Sequence, residues 1–132
     1  GVLAEDVNAV WGEVSPLVVA AISRSPRVVD ESDILSAIMS RDMQLWVAED
    51  SQDIKAVCVT QIIQWPRRKG AVLYLCAGKG MAEWIDFLPV IESWAIFNGC
   101  DFIEASGRAG WEKVLKSWKK SSVTFEKELG HA

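Results

Sequence analysis

Residues 71–100, AVLYLCAGKGMAEWIDFLPVIESWAIFNGC, contain a short apolar run, a turn of small residues and a long stretch with helical spacing. The run 71–76 is continuously apolar, too short for a helix and flanked by glycines, which predicts a strand covered on both faces. After the turn, Trp84, Ile91 and Ala95 fall on one helical stripe. The stretch therefore predicts a buried strand followed by a long amphipathic helix.

The turn between these elements, Ala77-Gly78-Lys79-Gly80, offers two residues without side chains and one cation where a helix opens. Such a turn exposes backbone N–H groups beside a helix N-terminus, whose partial positive charge favours anions such as phosphate. The alternative is a tight connection that binds nothing, because a Gly-x-Gly after a strand is weak evidence by itself.

Composition favours one soluble domain spanning residues 1–132, since 50% of the residues are hydrophobic and seven are tryptophan. Eighteen acidic and fourteen basic residues give a net charge of −4, so no overall field attracts nucleic acid or an anionic membrane. The three cysteines, Cys58, Cys76 and Cys100, lack CxxC spacing and are predicted to be reduced core residues of a cytoplasmic protein. No metal site is predicted.

Two helices are predicted before the strands. Apolar residues recur at helical spacing from Val7, and Pro16 is expected to kink or restart this helix with Ser15 as the N-cap. A second helix is predicted to begin after Asp30 and to end near Arg41.

Three antiparallel strands are predicted next, followed by a parallel one. Residues 44–49 and 54–65 are rich in β-branched and aromatic residues, and the turn 66–70 returns the chain into the strand at 71–76. The helix after that strand is expected to end at Gly99, and residues 102–105 form a strand reached by a parallel crossover.

The final segments predict a short helix at 111–118 and a closing edge strand at 123–129. The full order is therefore α-α-β-β-β-α-β-α-β. A fold of class α/β (α+β) with a mixed sheet flanked by helices follows from this order.

This order of elements resembles the GNAT-type acetyltransferase fold, in which a mixed sheet splays open to admit acetyl-coenzyme A. The closest correspondence lies in LYLCAGKG (73–80), SWAIFNGCDFIEASGR (93–108) and GWEKVL (110–115). The chain looks like the divergent GNAT-like proteins encoded by tailed phages and prophages. The usual first strand would precede Val7 and is predicted to be short or absent.

The resemblance also implies a cofactor site. Family members hold the coenzyme A pyrophosphate in a Gln/Arg-x-x-Gly-x-Gly/Ala loop, and Gly78-Lys79-Gly80 matches its end, while Leu75 stands where Gln or Arg is usual. The strand residues would bind the pantetheine arm through main-chain groups, and Gly78 to Met81 would meet the pyrophosphate. The implied set is Tyr74, Leu75, Cys76, Ala77, Gly78, Lys79, Gly80 and Met81.

The sequence offers few candidates for the catalytic acid and base. Amine acylation needs a base for the amine proton and an acid for the leaving thiolate. The family often places a tyrosine acid on the helix after the fifth strand, but here that helix begins with Trp111, and the one tyrosine is Tyr74. Glu104 is the candidate base, because burial in a strand raises a carboxyl pKa. The alternative is that Glu104 faces solvent or pairs with Arg108.

Two functions remain open. The first is an N-acyltransferase that uses acetyl-CoA or CoA and an unidentified amine acceptor. The second is a catalytically degenerate GNAT-like phage protein acting through a protein partner or as a homo-oligomer, in the host cytoplasm or associated with the virion. The basic turn Arg67-Arg68-Lys69 offers a seat for the coenzyme A 3′-phosphate or an acidic partner, or it is simply solvated.

Overall fold

The computed structural model describes residues 1–23, 29–49, 54–78, 88–105, 127, 129 and 130. After a short 3₁₀ turn at Ala4–Asp6, the elements are α1 (Val7–Ser23), α2 (Glu31–Met39), β1 (Gln44–Glu49), β2 (Ile54–Gln64), β3 (Lys69–Gly78), α3 (Leu88–Phe97) and β4 (Phe102–Ala105). This confirms the predicted order as far as β4. The predicted helix at 111–118 lies outside the described residues, as does most of the predicted strand at 123–129, and Lys127 and Leu129 are not in a strand.

The described strands form one sheet in the order β1-β2-β3-β4. β1, β2 and β3 make the predicted antiparallel meander, and β4 lies parallel to β3 after the crossover through α3. Val2 adds a single antiparallel bridge to β1, in which its N–H donates to the carbonyl oxygen of Leu45 at 2.8 Å. The described residues before Val7 thus join the sheet through one isolated bridge.

Two apolar cores cover the two faces of the sheet. The first core joins α1 and α2 to one face, through Val57 and Val59 of β2 and Leu75 and Ala77 of β3. The second core joins α3 to the other face, and its buried members are Trp46, Ala56, Cys58, Leu73, Leu88 and Ile91. The helix pair and the crossover helix thus sandwich the sheet, which explains why β3 is apolar on both faces.

α1 corrects one expectation. It runs unbroken from Val7 to Ser23 with Pro16 inside it, so Ser15 is not an N-cap. Ser15 instead donates its hydroxyl to the carboxylate of Glu31 in α2. Proline removes one backbone hydrogen bond, but burial of α1 against the sheet offsets that loss, because most helical stability in proteins comes from packing.

The end of α3 matches the prediction. Gly99 has a left-handed backbone with φ of +77°. Its N–H donates to the carbonyl oxygen of Ile96 at 3.0 Å, and the N–H of Cys100 donates to that of Ala95 at 2.9 Å. These two bonds form a Schellman motif, which turns the chain sharply from α3 into β4. None of the helices in the described part of the chain is long and apolar enough to cross a membrane.

A hydrogen-bonded chain of side chains is buried beneath α3. Thr60 is fully buried, accepts a hydrogen bond from Trp46 Nε1 at 3.0 Å and donates its own to Gln44 Oε1 at 3.0 Å. The Trp46 ring also meets Trp94 of α3 edge to face, with centroids 5.3 Å apart. The hydroxyl of Thr60 therefore satisfies the indole N–H in the interior.

Thr60→Val should lower the free energy of unfolding by about 1–3 kcal/mol, because it keeps the shape of the side chain but leaves the Trp46 indole N–H without its partner. Urea denaturation measures this change. Thr60→Ser is the matched control, since it retains the hydroxyl and loses one methyl group, at about 1 kcal/mol. A valine variant at least as stable as the serine variant would contradict this role of the hydroxyl.

Candidate functional site

The carboxyl end of β3 extends beyond its described pairs with β4. The parallel ladder pairs Gly70 with Phe102 at one end and Leu73 with Ala105 at the other. β3 then continues through residues 74–78, which pair on their other side with β2. β4 is described only as far as Ala105, and the side of β3 that faces away from β2 at residues 75–78 is called its open edge below.

A β-bulge lies in β3 just after its last described pair with β4. Thr60 lies opposite Leu73 and Val59 lies opposite Leu75, so Tyr74 is the extra residue on β3. The bulge changes the alternation of side chains, since Leu73 packs against α3 while both Tyr74 and Leu75 pack towards α1 and α2. A bulge bends its strand and increases the local twist. It therefore bends β3 just after its last described pair with β4.

The predicted cofactor residues in β3 occupy this bent segment. Leu75 and Ala77 are only 8% and 4% exposed because their side chains enter the core, and Cys76 is half-buried on the opposite face. A ligand at the open edge would therefore meet main-chain groups rather than these side chains.

The boundary of the predicted turn requires a correction. Ala77 and Gly78 belong to β3 and pair with Val57 and Ala56, so the strand is longer than the run 71–76. Pairing with β2 holds both residues in the ladder. Lys79, Gly80 and Met81 lie outside the described residues.

Glu104 lies on β4 next to its last described pair with β3. It is half-buried and opposite Val72, one position before the last described pair of the ladder. Its neighbours Ile103 and Ala105 pack against the core under α3, so Glu104 is on the other face of the sheet. Two residues along β3, about 7 Å, separate Val72 from the bulge. Arg108, the alternative partner of Glu104, lies outside the described residues.

The basic turn has a local role at the other end of β3. The Arg68 guanidinium lies 4.1 Å from the centroid of the Phe102 ring, and Trp65 packs against the same ring at 5.5 Å. Lys69 Nζ donates to the carbonyl oxygen of Asn98 at 2.6 Å, just after α3. The ten residues of β3 span about 30 Å. The turn therefore lies at the opposite end of β3 from the proposed pyrophosphate loop, and a seat for the coenzyme A 3′-phosphate in it stays a prediction.

An acidic pocket between α1 and α2 was not anticipated from the sequence. Its volume is about 400 Å³, and its lining residues are Val19, Ile22, Val29, Asp30, Glu31 and Asp33. Asp33 also accepts a hydrogen bond from the Asp30 N–H at 2.9 Å, as expected for a helix start. The sequence indicated only that Asp30 and Asp33 begin a helix, and the packing of α1 beside them makes the pocket.

Comparison of the whole chain with known proteins gives one clear result, at the level of the fold. No family model and no curated protein matches the sequence. An aminoglycoside acetyltransferase from an uncultured soil metagenomic sample, solved with sisomicin, superposes with a TM-score of 0.71 at 10% identity, over 98% of this chain and 93% of that one. The chain has the GNAT-type acetyltransferase fold.

Two further solved structures share this GNAT fold. The ribosomal-protein-alanine N-acetyltransferase from Brucella melitensis biovar Abortus 2308 has a TM-score of 0.69 at 10% identity, covering 98% of this chain and 96% of that one. A predicted acetyltransferase from Clostridium acetobutylicum, solved with acetyl-CoA, has a TM-score of 0.66 at 12% identity, covering 96% and 91%. The predicted fold is thus confirmed, and the likeness to phage-encoded members stays a prediction.

Proposed function

We propose that this chain is an acyl-coenzyme A-dependent N-acyltransferase that transfers an acetyl or related acyl group to an amine. The observation that carries the proposal is the bend of β3 at Tyr74, just after its last described pair with β4. The GNAT fold supports it, because a neighbour with that fold was solved with acetyl-CoA.

Main-chain groups of the bent segment are the binding groups in this proposal. Leu75, Cys76 and Ala77 present the open edge of β3 to the amide groups of the pantetheine arm, with Tyr74 at the bulge beside them. Because Leu75 has its side chain in the core, the absence of a Gln or Arg there leaves the strand edge intact. Gly78, Lys79, Gly80 and Met81 would hold the pyrophosphate through their backbone N–H groups.

The bound cofactor would supply an activated thioester carbonyl, and the chain's own residues would manage the amine and its proton. The acidic pocket suits a protonated amine, because three carboxylate residues, Asp30, Glu31 and Asp33, line it together with apolar side chains. Two of the apolar lining residues, Ile22 and Val29, pack against the core that contains Leu75 and Ala77. Glu104 is the proposed base for the amine proton.

Isothermal titration calorimetry with acetyl-CoA tests the binding step. We expect a dissociation constant below about 100 μM, within the range usual for enzymes and their substrates. Adenosine serves as the control ligand, because it lacks both the pyrophosphate and the pantetheine arm that the proposal requires. No heat of binding at several hundred micromolar acetyl-CoA would exclude the acyltransferase.

Glu104→Gln should leave the affinity for acetyl-CoA unchanged and lower the rate of acyl transfer by about 10- to 100-fold. This loss is small for a general base, because water can also take the amine proton. Release of free thiol from acetyl-CoA in the presence of a panel of primary amines and polyamines gives the rate. A rate equal to wild type on every amine that is acetylated would remove Glu104 from the mechanism.

A second function is favoured by the outer surface of α3. Ile96 and Phe97 are 74% and 89% exposed, and Val90 is exposed on the same helix. Exposed apolar side chains of this size are typical of protein-binding surfaces. A GNAT-like domain without catalysis that binds a protein would show no heat with acetyl-CoA and would self-associate or bind a partner through α3. A monomer with micromolar affinity for acetyl-CoA would contradict that function.

A further inference from the structure

Two cysteines face each other across neighbouring strands beneath α3. Cys58 of β2 lies directly opposite Cys76 of β3, and their Sγ atoms are 3.1 Å apart. Both side chains belong to the core under α3, and both are free thiols. This is closer than the usual van der Waals contact of two sulfur atoms, so the strands hold the thiols in contact.

The bulge at Tyr74 creates this pairing. Beyond the bulge Val59 opposes Leu75, and the next pair is Cys58 with Cys76. Without the extra residue the register would shift by one, and Cys58 would oppose Leu75 instead. The two cysteines are thus brought together by the feature that also bends β3.

The backbone already suits a covalent bond between the two sulfur atoms. Directly opposed residues of an antiparallel pair have Cα atoms roughly 4.5–5.5 Å apart. Disulfides span Cα separations of about 4.4–6.8 Å. The sulfur atoms therefore need to approach by about 1 Å to reach the bonded distance near 2.05 Å, without a shift of either strand.

The two thiols differ in their environment. Cys58 is 1% exposed, and its hydrogen bond with Cys76, together with burial, raises its pKa well above the usual value. Cys76 is half-buried, so reagents in solution reach it more readily. Cys76 is accordingly the thiol that meets an oxidant first, and Cys58 is the thiol that resolves the adduct.

We propose that Cys58 and Cys76 form a redox-active dithiol that a low-molecular-weight disulfide, such as glutathione disulfide, converts to an intramolecular disulfide. The Cys76 thiolate attacks one sulfur of glutathione disulfide, the S–S bond breaks, and one glutathione leaves as its thiolate. Cys58 then loses its proton and attacks Cys76 Sγ, which releases the second glutathione. The protein loses two electrons and two protons, and one glutathione disulfide becomes two glutathione thiols.

Mass spectrometry of the full chain after incubation with glutathione disulfide tests the site. Alkylation with N-ethylmaleimide before treatment should label all three cysteines of the denatured protein, and after treatment only Cys100. Because Arg67, Arg68 and Lys69 lie between the paired cysteines, trypsin separates their peptides, which should be recovered linked to each other. Dithiothreitol should restore all three thiols.

Three variants assign the roles. Cys100→Ser should form the same disulfide, Cys58→Ala should keep a stable glutathione adduct on Cys76, and Cys76→Ser should leave Cys58 unmodified. Circular dichroism checks that each variant is folded. If substitution of the buried Cys58 unfolds the protein, the wild type and the Cys100→Ser variant still show whether the Cys58–Cys76 disulfide forms.

Three outcomes would overturn the proposal: three labelled cysteines after treatment, a stable glutathione adduct on wild-type Cys76, or a disulfide through Cys100. This dithiol does not depend on the acyltransferase function. The mass spectrometry result therefore tests the dithiol whether or not the chain binds acetyl-CoA.

Discussion

Gly80→Asp should weaken acetyl-CoA binding by at least about 100-fold, which corresponds to about 2.7 kcal/mol. Gly80 is the last residue of the Gly-x-Gly that the GNAT resemblance places against the pyrophosphate. A carboxylate there would repel the diphosphate, and juxtaposed like charges cost several kcal/mol. Its side chain would also occupy the space through which the backbone approaches the ligand. Calorimetry of wild type and variant measures the loss.

Gly130→Asp is the matched control for this variant, because it makes the same change of charge and side chain near the end of the chain. A Cβ atom at Gly130 meets nothing within 4 Å. We expect this control to bind acetyl-CoA as tightly as wild type does. Equal affinity of the Gly80→Asp variant and the control would show that the loop does not hold the pyrophosphate.

Ile91→Ala should lower the free energy of unfolding by about 2–5 kcal/mol, because it removes a large side chain from the centre of the core under α3. Ile91 is 0% exposed and packs with Trp46, Leu73 and Leu88. The cavity left behind would loosen the crossover helix that places β4 beside β3. Guanidinium denaturation followed by tryptophan fluorescence gives the change.

Ile96→Ala on the same helix is the control, since it makes the same substitution at a side chain that is 74% exposed. A surface change of this kind should stay within about 0.5 kcal/mol of wild type. If the two variants lost stability to the same extent, the assignment of the buried face of α3 would be wrong.

Local sequence signals predicted much of the framework. β1 and β4 begin and end at the predicted residues, and Gly99 ends α3 as expected. In each case the signal lies within a few neighbouring residues: alternating or β-branched residues indicate a strand, and a C-cap glycine indicates the end of a helix. The parallel crossover also followed from order alone, since a helix of suitable length joins β3 to β4.

The bulge that shapes the candidate site could not be predicted in this way. A bulge is visible in a sequence only where it breaks an alternation of polar and apolar residues. The run 71–76 is apolar throughout because both faces of β3 are covered. The placement of Tyr74 and Leu75 on the same face therefore does not change the sequence pattern. The same continuity hid the continuation of β3 as far as Gly78.

Tertiary packing decided the other differences. Pro16 looked like a helix break, yet the burial of Val14 and Val18 on either side holds α1 in one piece. The carboxylates of Asp30 and Asp33 looked like capping groups, and they line a pocket only because α1 packs beside α2. In both cases the contacts that determine the structure are made between separate elements, so the local sequence does not reveal them.

The most direct test of the central claim is the ¹H–¹⁵N correlation spectrum of the protein during titration with acetyl-CoA. If the open edge of β3 binds the pantetheine arm, the amide signals of Leu75, Cys76, Ala77 and Gly78 should shift with saturation, while those of Lys69 and Gly70 at the far end of the strand stay in place. Unchanged signals at residues 75–78 in the presence of excess acetyl-CoA, or shifts confined to the far end, would contradict the account.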